Sequence, residues 1–122
     1  MREIKFRAWD ESDEEKGAYM LGPYDLADSI FNYKDIRSLK VMQFTGLQDK
    51  NGTDIYEGDI CKVAINGRGE IFYCNKTAMF KIKWTDQTYK KIRGRNEGIP
   101  PNHKITFEVI GNIYQNPELR NN

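Results

Sequence analysis

Basic residues crowd one stretch of the chain, Lys81, Lys83, Lys90, Lys91, Arg93 and Arg95, with Tyr73, Trp84 and Tyr89 among them or nearby. Cations attract a phosphate backbone by releasing its condensed counterions, and aromatic rings offer bases a face to stack on. The same residue types also describe a solvated basic face, or one that meets the acidic part of a neighbouring subunit. These six side chains are therefore candidate contacts for nucleic acid or for a protein partner.

The uneven charge strengthens the question. The whole chain carries a formal charge of +1, yet residues 1–61 hold 8 Lys/Arg against 13 Asp/Glu, while residues 62–104 hold 10 against 3. A near-neutral total thus conceals an acidic first half and a basic stretch after it.

The other candidate groups are less productive. Asp49, Asp54, Glu57 and Asp59 are oxygen donors of the kind hard cations take, but their spacing fits no calcium-loop pattern. Turn chemistry accounts for them, since Asp side chains bond the backbone amides of reversals. A zinc site needs about four ligands, and the chain has two Cys and one His. His103 sits in Pro100-Pro101-Asn102-His103-Lys104 with no acid or nucleophile at a recognised spacing, so it reads as an exposed loop residue. Neither a phosphate-binding loop nor a nucleophile motif occurs. No cofactor and no metal are expected, and enzymatic activity ranks last.

The elements that must position these groups are mostly strands. Ile4, Phe6 and Ala8 alternate with Lys5, Arg7 and Trp9, and Phe80, Ile82 and Trp84 alternate with Met79, Lys81 and Lys83. Such period-two patterns place one face inward and the other in water. Strands are expected over residues 39–44, 60–66, 70–74, 78–84 and 105–110, with turns at Asn66-Gly67-Arg68-Gly69 and Cys74-Asn75-Lys76-Thr77. One short helix is expected near residues 25–33, opened by Asp25. Residues 85–104 break the pattern and read as a long basic loop, and Arg120 as part of a fraying end.

Turn signals are densest between residues 45 and 60. Asn51-Gly52 marks a hairpin, and Glu57-Gly58-Asp59 makes a second reversal, with Tyr56 and Ile60 anchoring the turns. Gly46, Asp49, Asn51, Gly52, Tyr56, Gly58, Asp59, Gly111 and Asn112 are read as structural residues. Short strands joined by tight turns predict a mainly β chain, a small curled antiparallel sheet or an SH3-like barrel. A chain of 122 residues suits one domain: an N-terminal strand and helix segment over 1–38, and a barrel-like core over 39–114.

Three blocks, in order, resemble the YopX family of phage and prophage proteins: Ile4-Lys5-Phe6-Arg7-Ala8-Trp9-Asp10; Met42-Gln43-Phe44-Thr45-Gly46-Leu47 with Asp49, Asn51-Gly52 and Ile55-Tyr56-Glu57-Gly58-Asp59-Ile60; and Val109-Ile110-Gly111-Asn112-Ile113-Tyr114-Gln115-Asn116-Pro117-Glu118-Leu119. The resemblance implies a bacteriophage or prophage source. It brings no catalytic residues, because the family's biochemical role is not established.

With no long apolar run and no apolar signal core after Met1-Arg2-Glu3, the chain is expected in the host bacterial cytosol, with Cys61 and Cys74 as reduced thiols and no membrane partner. The expected role is an accessory protein that binds itself or a phage or host protein. Nucleic-acid binding through the basic segment is the alternative.

Overall fold

The computed structural model describes residues 3–11, 15, 17–22, 39–64 and 67–120. The helix expected near residues 25–33 lies outside them. The chain is mainly β and divides into two units, Met1–Phe44 and Thr45–Asn122.

In the first unit β1 (Phe6–Asp10) pairs antiparallel with β2 (Tyr19–Leu21) on one side and with β3 (Leu39–Gln48) on the other. Ala8 lies opposite both Leu21 and Val41, so their side chains share a face; Ala8, Leu21 and Leu39 make a small buried cluster there. Trp9 points to the other face, and its indole N–H donates to Glu11 Oε1 at 2.8 Å. A strand is the right local structure because the alternation seen in the sequence separates these two faces.

Residues 45–48 of β3 belong to the second unit, where β4 (Asp54–Tyr56) follows as their hairpin neighbour. The remaining strands are β5 (Asp59–Val63), β6 (Gly67–Cys74), β7 (Met79–Trp84), β8 (Asn96–Gly98) and β9 (Phe107–Asn112). They form one antiparallel sheet in the order β8-β7-β6-β5-β9. Cys61, Ile71, Ile82, Trp84 and Phe107 of this sheet pack with Ile55 of β4 into the main core, with Leu47, Val63 and Tyr89 against it. Each large side chain buried this way contributes about 1.5–3 kcal/mol.

The sheet is a curled half-barrel, with β8 and β9 as its two ends. Two local features mark it, a bulge and a close approach. The register against β9 shifts between Ile60 and Cys61, and such a bulge sharpens the local twist. Gly69 lies opposite Trp84, where an added Cβ would come within 2.5 Å of Ile82 Cγ1 and 2.9 Å of the Lys83 carbonyl oxygen. Residues 67–69 therefore extend β6 and are not the turn expected there. Their glycines serve close packing.

The segment 85–104 is also not the expected loop. It holds the helix α1 (Gln87–Arg93), the strand β8 and the start of α2 (His103–Thr106), so the last strand begins at Phe107 and not at Ile105. A short 3-10 turn, Pro117–Arg120, follows β9. No helix among the described residues is long and apolar enough to cross a membrane.

Candidate functional site

The position of α1 is set by one carboxylate. Asp86 Oδ2 accepts the Tyr89 amide at 3.0 Å as an N-cap, and its Oδ1 accepts the Arg68 amide of β6 at 3.1 Å. Thr85 adds two bonds to the Arg68 carbonyl, from its amide and its hydroxyl, each at 2.9 Å. At the far end Gly94 takes φ 85° and returns its N–H to the Lys90 carbonyl at 3.0 Å, and the Trp84 amide then donates to the Arg95 carbonyl at 3.0 Å. Gly is favoured at such a stop because it has no Cβ to clash at positive φ. The helix is thus tied at both ends to β6 and β7.

This arrangement assembles a groove of about 590 Å³ lined by Glu70, Lys83, Trp84, Thr85, Lys90, Arg95, Pro117 and Arg120. Four cations face one carboxylate. Glu70 is already engaged, because Arg120 Nε donates to its Oε1 at 3.0 Å. Lys83, Lys90 and Arg95 have no ion pair among the described residues. Lys83 lies instead 5.8 Å from the centre of the Phe72 ring.

Of the six basic residues singled out in the sequence, the structure brings Lys83, Lys90 and Arg95 to the groove and leaves the others elsewhere. Arg93 is held by Glu97 at 2.8 Å, Lys91 stands exposed on α1, and Lys81 sits within β7 opposite Gly98. Sequence reasoning missed Arg120, which was expected to fray and is instead pinned by Glu70. Of the aromatic residues, Trp84 is no open platform: it is 2% exposed and tilts against Tyr89 with ring centres 4.7 Å apart; Tyr73 is exposed and meets Phe80 edge to face at 5.2 Å, and it does not line the groove.

The acidic and glycine-rich turns form a different kind of site. Asp49, 3% exposed, accepts the amides of Asn51 at 2.8 Å, Thr53 at 2.9 Å and Val109 of β9 at 2.8 Å. Burial alone pushes this carboxyl up, but the Val109, Thr53 and Asn51 amides, helped by Lys50, outweigh it and hold Asp49 below its ordinary value. Gly52 closes the hairpin at φ 80°, donating to the Asp49 carbonyl at 3.1 Å, while Asn51 keeps a negative φ. Asp59 accepts the Tyr56 amide at 2.8 Å across the reversal at Gly58, and Gly46 lies in β3 at φ 85°.

Asn112 organises the turn after β9, its Oδ1 accepting the amides of Tyr114 at 3.0 Å and Gln115 at 2.9 Å. Gly111 lets that turn approach, since a Cβ there would lie 2.5 Å from Asn116 Oδ1 and 2.9 Å from Leu119 Cδ1. Among the described residues no three of His, Cys, Asp and Glu come together as a metal site.

His103 differs from its expected exposure. Only 8% exposed, it places Nδ1 3.0 Å from the Pro100 carbonyl, which can only accept, so Nδ1 carries the proton. Cys61 is buried, and desolvation, with the Asp59 and Asp49 carboxylates nearby, raises its thiol well above the ordinary range. Cys74 is not disulfide-bonded; hydrogen bonds from the Thr77 side chain and backbone lower it.

A second cavity, of about 340 Å³, borders α1 and is lined in part by Val63, Trp84, Tyr89, Pro100, Asn102 and Phe107. The Trp84 indole N–H is buried and meets no acceptor among the described residues. Leaving such a donor unpaired costs about 1–3 kcal/mol.

Comparison with known proteins agrees with the turn and strand motifs. No curated protein matches the chain. A crystal structure of protein EF1440 from Enterococcus faecalis is similar over 98% of this chain and 99% of its own, with 25% identity and a TM-score of 0.56. The family model described as YopX protein matches residues 5–120, nearly the whole chain, and the protein belongs to the YopX family.

Proposed function

We infer that this protein is a non-catalytic accessory protein of a bacteriophage or prophage, acting in the host cytosol, and that its second unit binds the phosphate backbone of a nucleic acid in the groove beside α1. One observation carries this reading: Lys83, Lys90 and Arg95 converge on a single groove without an ion-pair partner among the described residues, beside a fourth cation whose carboxylate partner is already spent. Cations gathered without counter-charges repel one another, and a polyanion relieves that repulsion while releasing its own counterions. Self-association through the opposite charge of the first half is the competing reading; it leaves the convergence on one groove unexplained.

Fluorescence anisotropy with labelled mixed-sequence single-stranded DNA and RNA, paired with light scattering, separates the two. Binding at low salt that weakens at moderate salt, with protein alone at monomer mass, supports the groove. A stable multimer that ignores both oligonucleotides sinks it.

A further inference from the structure

Phosphate binding alone gives no reason for a carboxylate in the groove beside α1, because like charges repel. Glu70 lines that groove all the same, with 9% of its side chain exposed. Its Oε1 accepts Arg120 Nε at 3.0 Å, and its Oε2 accepts from none of the described residues. Unlike the Trp84 indole nitrogen, that oxygen is not sealed from water without a partner. Lys83 stands directly across the β6–β7 ladder but closes no ion pair with it; the Lys83 ammonium lies near the Phe72 ring instead.

Asp49 shows what a buried carboxylate with a purely structural task looks like, since both of its oxygens accept backbone amides. Glu70 keeps one acceptor oxygen beside a row of cations. A matching ligand carries a hydrogen-bond donor next to its phosphate. In RNA the 2′-hydroxyl sits on the carbon adjacent to the one that bears the 3′-phosphate, and it can donate. A DNA sugar has no donor there, and the donors of a base lie on its edges, away from the backbone. Carboxylates hold ribose 2′-hydroxyls in this way in dinucleotide sites.

We propose that Glu70 makes the groove selective for RNA over DNA. Lys83, Lys90, Arg95 and the remaining N–H groups of Arg120 hold the phosphate, and Glu70 Oε2 accepts the hydrogen of the adjacent 2′-hydroxyl. With DNA in the same place that oxygen loses water and gains no donor, so the penalty falls on the deoxy strand. This selectivity rests on the phosphate-backbone reading of the groove and names its substrate class.

Fluorescence anisotropy of the full chain tests it with three labelled single strands of one mixed sequence: RNA, its 2′-O-methyl form, and DNA with uracil in place of thymine. The 2′-O-methyl strand keeps the sugar oxygen but has no proton to donate. RNA should bind about tenfold or more tighter than either of the others, the worth of one hydrogen bond to a charged group. Glu70→Gln keeps an acceptor for Arg120 and removes the second one, so the ratio of RNA to 2′-O-methyl affinity should fall to about one. That ratio is the readout, because loss of a negative charge strengthens the binding of every strand. Glu70→Asp keeps the charge, shortens its reach and should shrink the same ratio, which serves if Glu70→Gln fails to fold.

Three strands bound alike by the wild type, each weakened by salt, overturn the selectivity and leave the groove reading standing. No binding of any strand removes both. A 2′-O-methyl strand that binds as RNA does, or a ratio that survives both Glu70 variants, shows that the hydroxyl is not read by this carboxylate and overturns the proposal.

Discussion

Two regions of the second unit use charge in opposite ways. Around the hairpin, Asp49 and Asp59 are buried and their oxygens are spent on backbone amides: three for Asp49, and at least the Tyr56 amide for Asp59. Around α1, Lys83, Lys90 and Arg95 line a groove and have no ion pair among the described residues. Saturated charge holds a fold together, because removing it strands donors that cannot reach water. Unsaturated charge at a groove contributes little to folding and is available to a ligand. The contrast gives the acidic turns an architectural role and is the ground on which we propose binding for the basic groove, although both look like charge clusters in the sequence.

The largest expected effect comes from the saturated side. Asp49→Ala removes the acceptor of the Asn51, Thr53 and Val109 amides at once. Bonds to a charged group contribute about 1.5–3 kcal/mol each net of exchange with water; because water can reach part of the opened turn, a loss of about 3 kcal/mol or more in urea unfolding is expected. A loss below about 0.5 kcal/mol, the size of an ordinary surface change, breaks the comparison.

Close packing gives the next effect. Gly69→Val places a side chain against Ile82 and the Lys83 backbone, and overpacking of this kind costs about 1–3 kcal/mol. Gly52→Val meets open space but must hold a β-branched residue at φ 80°, which costs about 1–2 kcal/mol. The measured loss of unfolding free energy should therefore be as large for Gly69→Val as for Gly52→Val, or larger.

Acid sharpens the same contrast. Asp49 has a folded value below its unfolded one, so its stabilisation is present above the unfolded carboxylate value of about 3.9 and is lost as pH falls through the folded value. The urea midpoint should drop as pH is lowered from 6 towards 3, and Asp49→Asn should flatten that drop. An unchanged pH profile in the variant contradicts the role given to this carboxylate.

Much of this architecture was readable from the residues. The alternation of Phe80, Ile82 and Trp84 gave β7 its inward face, and Asn51-Gly52 marked the hairpin, because side-chain period and backbone freedom are local properties. What escaped was set by distant contacts. Gly67 and Gly69 look like turn residues until Tyr89 and Ile82 are seen packed over them. The helix α1 has no buried residue and no apolar stripe, so periodicity could not reveal it; its local signals were Asp86 as N-cap and Gly94 as stop. Arg120 joined the groove through Glu70, fifty residues earlier in the chain, and His103 was buried by the turn at Pro100, neither of which spacing encodes.

The smallest expected effect on folding belongs to the groove, and it carries the central claim. Replacing Lys83, Lys90 and Arg95 together by Gln should change unfolding free energy by no more than about 0.5 kcal/mol, as surface substitutions do. Its effect on binding should be plain. Each phosphate contact to a single strand contributes about 0.7 to the slope of log affinity against log salt. The direct measurement is that slope for wild type and triple variant with the same oligonucleotide, and a variant slope shallower by about 2 is expected if all three side chains contact phosphate. Equal slopes in the two proteins, or wild-type affinity indifferent to salt, would contradict a groove whose unpaired cations bind a phosphate backbone.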